Sequence, residues 1–282
     1  MLITSETIDS VRSHLQDWRE QQQTIAFVPT MGNLHAGHLR LVDEARERSD
    51  RVVVSIFVNP SQFAEGEDYT RYPRTRKQDL ENLSERNVDL VFIPDVSEMY
   101  ASPNLTIVNV NDLSGQLCGE FRPGHFSGVA TVVCKLLNIV QPDLAVFGEK
   151  DYQQLVLIRT MVSDLKQAIE IIGVPTVRAD DGLALSSRNQ YLTAAQRQQA
   201  TVLYEVLRAT REQLIADDTI NYRKLEDQQF QRIRQAGFRP DYFAIRNALN
   251  LARPSRDDDH QRLVILVAAW LGQTRLIDNL LV

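Results

Sequence analysis

The sequence predicts an α/β protein: a parallel sheet covered by helices, followed by a smaller α+β domain with a short antiparallel sheet. Strand-like runs in the first part are apolar throughout and alternate with segments of helical periodicity, which predicts a parallel sheet buried on both faces. After a loop rich in Asp, Gly and Ser, the last three strand-like runs follow one another, which suits antiparallel pairing. The predicted domains are 1–175 and 176–282.

Each predicted element rests on its own pattern. The first helix carries Ile8, Val11, Leu15 and Trp18 on one stripe, and the first strand is a β-branched and aromatic run closed by Pro29. The same criteria predict first-domain helices at 6–22, 37–49, 77–87, 128–140 and 152–166, and strands at 24–29, 51–60, 89–94, 105–110, 143–148 and 169–175. In the second domain they predict helices at 194–216 and 222–235 and strands at 241–246, 261–271 and 274–279.

Composition narrows the class of protein. With 282 residues, 43% of them hydrophobic, the chain can build an ordinary globular core. A formal charge of −6 argues against a nucleic-acid or anionic-membrane partner. The N-terminus lacks the order of a signal peptide, and the longest apolar run, 263–271, is too short to span a bilayer. Two cysteines make no disulfide framework, so we expect a cytoplasmic protein.

The segment PTMGNLHAGH, residues 29–38, joins a predicted strand to a predicted helix. The first backbone N–H groups of a helix have no acceptor within the helix, and together with the helix dipole they attract anions, most often phosphate groups. Gly32 and Gly37 allow a ligand close to the main chain, and His35 and His38 share one helix face. A turn with a purely structural role would account for the same residues as well as a phosphate site does. A metal pair is less well supported, because no third ligand stands at a recognisable spacing.

Two other polar segments also follow predicted strands. VNPSQF, residues 58–63, and FGEKDYQQ, residues 147–154, come directly after apolar runs. Open parallel sheets bind ligands beyond the carboxyl ends of their strands. We therefore expect these segments and residues 29–38 to form one site.

The motifs together resemble one family. PTMGNLHAGH, VSIFVNPSQF, YPRT, RPGHFSGVATVV, FGEKDYQQL and DGLALSSRN, in this order and at these intervals, resemble the pantothenate synthetases, the pantoate–β-alanine ligases. The resemblance runs essentially end to end and includes VAAWLGQTRLIDN near the C-terminus. The HAGH part alone would indicate only the wider nucleotidyltransferase superfamily.

The resemblance implies an activity. It implies a ligase that converts ATP, pantoate and β-alanine to pantothenate, AMP and pyrophosphate with Mg²⁺, through a pantoyl adenylate, in pantothenate biosynthesis. It also implies a homodimer whose Rossmann-like N-terminal domain holds the site and whose C-terminal domain is a lid. Another adenylyltransferase, or an ATP-binding module without catalysis, remains as an alternative.

The resemblance also implies residue roles. His38, His35, Lys150, Ser186, Ser187 and Arg188 are the expected catalytic residues, and their donors and charges suit phosphates. Gln62, Gln154 and Asn59 are expected at pantoate or β-alanine, since neutral amides recognise hydroxyls and carboxylates directionally. The remaining expected ATP-binding residues are Met31, Gly32, Asn33, Leu34, Gly148, Glu149, Asp151, Val177 and Leu185. No metal ligand is predicted, and Asp79 is the only carboxylate immediately after YPRT.

Overall fold

The computed structural model describes residues 2–100, 104–217, 219–255 and 262–282. The chain divides into two units, one made of Met1–Glu149 and Leu157–Pro175, the other of Lys150–Val156 and Thr176–Val282. Each unit has its own apolar core. In the part of the chain that is described, no helix is both long and apolar enough to cross a membrane.

The first unit is built on strands and helices that alternate along the chain. They are β1 (Ile3–Ser5), α1 (Ile8–Glu20), β2 (Ile25–Thr30), α2 (Ala36–Arg48), β3 (Arg51–Ile56), α3 (Arg76–Glu85), β4 (Leu90–Phe92), α4 (Val96–Met99), α5 (Cys118–Phe121), α6 (His125–Val140), β5 (Leu144–Gly148), α7 (Tyr152–Asp164) and β6 (Glu170–Val174). The helix α7 begins within the second unit and ends within the first.

The strands of the first unit form one parallel sheet in the order β1-β4-β3-β2-β5-β6. Central positions are buried, as at Phe27, which pairs with Val53 on one side and Ala145 on the other. From β2 the chain builds toward one edge through β3 and β4, whereas β5 and β6 build toward the other. The order therefore reverses between β2 and β5, where doubly wound sheets bind their ligands. The predicted α/β class is confirmed.

The predicted strand at 105–110 is wrong. Residues 104–110 pair with no other strand in the described chain. The backbone of Val108 instead bonds the side chain of Thr131 on α6, with its N–H donating over 2.9 Å. Leu105 and Ile107 are 85% and 70% exposed. The alternating pattern is real, but these apolar side chains are not covered within the described residues.

The second unit places helices against an antiparallel sheet. Its elements are α8 (Ala194–Gln199), α9 (Val202–Ala216), α10 (Tyr222–Gln235), β7 (Arg239–Asn247), β8 (Leu263–Leu271) and β9 (Thr274–Leu281), with strand order β7-β8-β9. Leu207 and Ile233 from the helices pack with Ile265 and Val267 from the sheet. The start of the predicted strand 261–271, Gln261, lies outside the described residues.

The predicted helix 194–216 is two helices rather than one. Between α8 and α9 the Thr201 hydroxyl donates to the Gln198 carbonyl over 2.9 Å. The Thr201 N–H bonds that same carbonyl rather than the one four residues back. A side chain and a tightened turn thus compete for the helical acceptor, which interrupts the helix at this point.

Candidate functional site

The turn after β2 is held by a buried carboxylate. Asp79 on α3 is 1% exposed, and its two oxygens accept the N–H groups of Asn33 and Leu34 over 3.0 and 2.8 Å. Gly32 has φ +78°, and a Cβ there would lie 3.0 Å from a methyl group of Ile56. The turn therefore needs glycine both for its left-handed backbone and for space.

The two histidines of this segment cap α2 together. His35 is the N-cap residue, and its Nδ1 accepts the Gly37 N–H over 3.1 Å. The Nδ1 of His38 accepts the His35 N–H over 3.4 Å, and the ring centroids are 4.1 Å apart. Because each Nδ1 accepts, each neutral ring carries its proton on Nε2. The helix start thus fixes two neighbouring imidazoles as Nε2–H donors.

Asn59 and Gln62 lie in the turn after β3, the neighbour of β2. Asn59 is 1% exposed, and its amide donates to the Gln62 side-chain oxygen over 3.1 Å. Its oxygen accepts the hydroxyl of Tyr100 over 2.8 Å. The Gln62 amide nitrogen donates to the sulfur of Met31 over 3.1 Å. Thioether sulfur is a weak acceptor, so Gln62 presents its donors beside the turn after β2.

A charged cluster holds the main chain of Gln62 in place. Arg122 donates to both oxygens of Glu67, over 2.7 and 2.6 Å, and to the Nε2 of His125 over 3.0 Å. Since arginine only donates, that Nε2 accepts, and the Nδ1–H of His125 donates to the Gln62 carbonyl over 2.8 Å. Burial alone would raise the pKa of Glu67, but the hydrogen bond and charge of Arg122 outweigh it and lower the pKa.

Gly148 ends β5 and Glu149 follows it, at the point where the strand order reverses. A Cβ on Gly148 would meet Leu41 of α2 only at 3.9 Å, so this glycine is not required by packing. Burial raises the pKa of Glu149, and the positive charge of Arg159 opposes that rise. A partly desolvated carboxyl group therefore stands at the carboxyl end of the sheet.

In the second unit, Lys150 and Asp151 stand just before α7. The Lys150 ammonium is 3.9 Å from an Asp151 oxygen, and the lysine side chain is 19% exposed. The backbone carbonyl of Lys150 accepts a side-chain N–H of Asn279, on β9, over 2.8 Å. Gln154 lies in the first turn of α7 and is half-buried. The main chain of Lys150 is thus fixed by the C-terminal strand of its own unit.

Residues 186–188, which are predicted to contact phosphates, lie at the end of a short hairpin in the second unit. The Leu185 N–H bonds the Val177 carbonyl over 3.0 Å, which closes the hairpin. Ser186 then caps a short 3₁₀ helix, and its hydroxyl accepts the Arg188 N–H over 3.3 Å. Ser187 begins that helix. The Ser186 hydroxyl therefore fixes the backbone that carries Ser187 and Arg188.

The structure gathers the predicted residues within each unit. In the first unit they lie at or just beyond the carboxyl ends of β2, β3 and β5: Met31, Gly32, Asn33, Leu34, His35, His38, Asn59, Gln62, Gly148 and Glu149. In the second unit they lie in residues 150–154 and 177–188: Lys150, Asp151, Gln154, Val177, Leu185, Ser186, Ser187 and Arg188. The sequence did not predict that Asp79, His125 and Asn279 hold the backbone of the site residues in place through hydrogen bonds. His125 ends the motif RPGH, Asn279 ends RLIDN, and Asp79 lies four residues after YPRT, but the sequence does not show which atoms these side chains bond.

The described residues contain no cluster of metal-binding side chains. No three His, Cys, Asp or Glu side chains there are grouped so as to hold an ion. Both oxygens of Asp79 accept backbone N–H groups, so this carboxylate stabilises the turn after β2. Mg²⁺ bound mainly by phosphates and water fits this donor set.

Comparisons with known proteins agree with one another. Residues 3–281 match the family model described as pantoate-beta-alanine ligase. The pantothenate synthetase of Shewanella piezotolerans is 54% identical, covering 100% of this chain and 99% of the relative. The crystal structure of pantothenate synthetase from Thermus thermophilus is 46% identical with a TM-score of 0.90, covering 99% and 98% of the two chains.

A third relative was solved with ligands. The pantoate-beta-alanine ligase of Francisella tularensis, complexed with β-γ ATP and β-alanine, is 38% identical to this chain. Its TM-score is 0.82, and the match covers 100% of this chain and 98% of that structure.

Proposed function

The chain belongs to the pantoate–β-alanine ligase family and forms pantothenate from pantoate, β-alanine and ATP, and we propose that it does so through a pantoyl adenylate. One observation carries this proposal: the paired His35 and His38 cap α2 at the point where the strand order reverses, with their protons on Nε2. Donors fixed at a helix start stabilise charge that builds on a phosphate.

In the first step a pantoate carboxylate oxygen attacks the α-phosphorus of ATP, and the bond to the pyrophosphate oxygen breaks. A carboxylate is ionised at neutral pH, so no base is needed and catalysis consists of positioning and charge stabilisation. His35, His38 and Lys150 donate to the phosphate that is attacked. Ser186, Ser187 and Arg188 hold the departing pyrophosphate; Arg188 supplies a forked guanidinium for it.

The remaining predicted residues bind the rest of the nucleotide. Met31, Gly32, Asn33 and Leu34 form the turn over which it lies, and Gly148 gives the main chain close access. Asp151 bonds the ribose hydroxyls. Glu149, Val177 and Leu185 complete the nucleotide-binding set.

Pantoate is held by neutral amides. Gln62 and Gln154 donate to its hydroxyl and carboxylate oxygens without neutralising the attacking oxygen. Asn59 acts mainly through Gln62, since its amide group already donates to two acceptors within the protein, the Gln62 side chain and the Gly128 carbonyl of α6. His125 and Arg122 hold the Gln62 main chain from the other side.

In the second step the amine of β-alanine attacks the acyl carbon of the adenylate. The bond between that carbon and the bridging oxygen breaks, AMP leaves with the oxygen, and the amine loses a proton. Mg²⁺ accompanies ATP and offsets the charge of its phosphates. Because an acyl adenylate hydrolyses readily, we expect the residues around Gln62 and Ser186 to exclude water.

The working form is a cytoplasmic homodimer. Leu105 and Ile107 are strongly exposed, which favours a second copy of this chain as their cover. Cys118 and Cys134 are both in the thiol form, in keeping with a reducing compartment.

Isotope transfer tests the intermediate. Pantoate with both carboxylate oxygens replaced by ¹⁸O is converted with ATP, Mg²⁺ and β-alanine, and the phosphorus-containing products are analysed by mass spectrometry. The adenylate route gives AMP with one ¹⁸O atom and unlabelled pyrophosphate. Attack at the γ-phosphorus would give ADP and labelled inorganic phosphate. Unlabelled AMP formed together with pantothenate would exclude the acyl adenylate.

A further inference from the structure

The C-terminal strand β9 carries the acidic member of a buried ion pair, Asp278. Asp278 accepts two hydrogen bonds from Arg178, over 2.7 and 2.9 Å, and the side chains are 4% and 15% exposed. Arg178 also stacks over the ring of Tyr204, with its central carbon 4.0 Å from the ring centroid. Buried ion pairs of this kind rarely stabilise a fold more than apolar residues of the same size. Stability alone therefore does not account for the pair.

The pair fixes the next residue along the strand. The N–H of Asn279 donates to Asp278 over 2.8 Å, and its carbonyl accepts from Arg178 over 3.0 Å. Asn279 is 5% exposed. Its main chain is thus bonded to both members of the ion pair.

Asn279 in turn bonds the segment that carries Lys150. Its side-chain nitrogen donates to the Lys150 carbonyl over 2.8 Å. That bond joins residues 129 positions apart in the chain. The lysine side chain therefore extends from a backbone whose position is set by the C-terminal strand.

Arg178 also belongs to the hairpin that leads into residues 186–188. It bridges Ala184 across the hairpin and donates to the Gly182 carbonyl over 3.1 Å. Asn189, just beyond the loop, donates to the Ala184 carbonyl over 3.0 Å. The two segments of the second unit that are proposed to contact phosphates are therefore attached to the same short stretch of β9.

We propose that Asn279, held by the Arg178–Asp278 pair, is a positioning residue for Lys150 in adenylate formation. The inference rests on the proposed role of Lys150. A flexible lysine stabilises a transition state only if its backbone is fixed, since a displacement of about 1 Å can cost about a hundredfold in rate. The hydrogen bond from Asn279 supplies that constraint from a strand that carries none of the proposed catalytic residues.

A double-mutant cycle tests the inference. The rate of the pyrophosphate burst is measured with ATP, Mg²⁺ and pantoate in the absence of β-alanine, for Asn279→Ala, Lys150→Ala and the double variant. We expect Asn279→Ala to slow the burst about 10- to 100-fold, with the KM for pantoate changed by less than about twofold. In the Lys150→Ala background the same change should have almost no further effect, because its partner in catalysis is gone.

Asn221→Ala is the matched control. Asn221 lies in the same unit and caps α10 by accepting the Lys224 N–H over 3.0 Å, so its loss destabilises the unit without touching Lys150. Its burst rate should be that of the wild type. Thermal unfolding gives the folded fraction of every variant, and Asn279→Leu, which keeps the side-chain size, replaces Asn279→Ala if the latter does not fold.

The possible outcomes distinguish the proposed role of Lys150 from the proposed positioning role of Asn279. A slow Lys150→Ala protein beside a fast Asn279→Ala protein would overturn the inference and leave the role of Lys150 intact. An equal loss from Asn279→Ala in both backgrounds would also overturn it, because Asn279 would then act independently of Lys150. A wild-type burst from folded Lys150→Ala would remove the proposed role of Lys150 and the inference with it.

Discussion

The pairing of His35 with His38 determines what each ring can do. Both Nδ1 atoms accept backbone N–H groups at the start of α2, so protonation at Nδ1 would break a cap. The sequence spacing predicts two rings on one face, but it does not say which nitrogen faces the backbone. The capping geometry supplies that information, and it favours neutral imidazoles that donate from Nε2.

Replacing His38 by alanine should greatly slow adenylate formation. Loss of one preorganised donor typically costs about a hundred- to a thousandfold in rate. The measurement is the rate of pyrophosphate release with pantoate and ATP, with folding checked by circular dichroism. His14→Ala, on α1, is the control and should release pyrophosphate at the wild-type rate. A folded His38→Ala protein with near-normal release would contradict the assignment.

Glu149→Gln should change how stability depends on pH. Burial raises the pKa of Glu149 above its ordinary 4.5, so the folded protein holds this proton more tightly than the unfolded chain. The free energy of unfolding of the wild type therefore falls as pH rises from about 4.5 through the folded pKa. Glutamine has no such proton, so the variant should gain stability relative to the wild type across that window.

Urea unfolding of the unliganded protein between pH 4 and pH 7 measures this difference. Glu85→Gln, at the exposed end of α3, is the control for loss of a carboxylate without burial. If the difference between Glu149→Gln and the wild type were the same at every pH, burial of Glu149 would not be the cause.

The helix α6 packs tightly against the turn after β3. Gly128 lies in the first turn of α6, and its carbonyl accepts from the Asn59 amide over 3.3 Å. A Cβ on Gly128 would lie 2.8 Å from the Gln62 nitrogen and closer still to the Ser61 carbonyl. Both obstacles are backbone atoms, which cannot move aside as a flexible side chain would.

Gly128→Ala should therefore displace the turn that carries Gln62. Overpacking of this kind typically costs about 1–3 kcal/mol in stability, and the KM for pantoate should rise because Gln62 is moved. Gly115→Ala is the matched control, since a Cβ there meets nothing within 4 Å. Urea unfolding and steady-state kinetics measure both effects. An unchanged KM for pantoate in Gly128→Ala would argue against the role of Gln62 in pantoate binding.

Sequence patterns predict these elements where local signals decide the structure. The helix α10 has the predicted limits because Asn221 caps it and Leu225 and Ile233 lie on its buried face. The short strand β1 has only three residues, too few for a periodic signal. The exposed 105–110 segment carries strand-like alternation, yet its outcome depends on whether a partner strand lies beside it.

The sequence determines the fold class of the chain more fully than it determines the geometry of the site. Apolar strands alternating with helices predict the parallel sheet, and motifs after those strands predict the residues at its carboxyl ends. The residues that support the site are different, because Asp79 and Asn279 act through one or two hydrogen bonds to residues 45 or more positions away. No periodicity encodes such a bond, so the residues that hold the site became visible only in the structure.

The exposed segment that contains Leu105 and Ile107 bears on how the chain assembles. Leu105 and Ile107 are 85% and 70% exposed and lie two residues apart, so they expose apolar surface as a pair rather than as a single side chain. If a second copy covers Leu105 and Ile107, the wild type should sediment as a dimer, and Leu105→Asp with Ile107→Asp should sediment as a monomer, because each aspartate would be desolvated at the interface. Leu249→Asp is the matched control, since Leu249 is 69% exposed in the second unit and should leave the dimer intact. Sedimentation velocity at several protein concentrations measures all three proteins. A wild type that is monomeric throughout, or a double variant that still dimerises like the wild type, would show that residues 105 and 107 do not form the subunit contact.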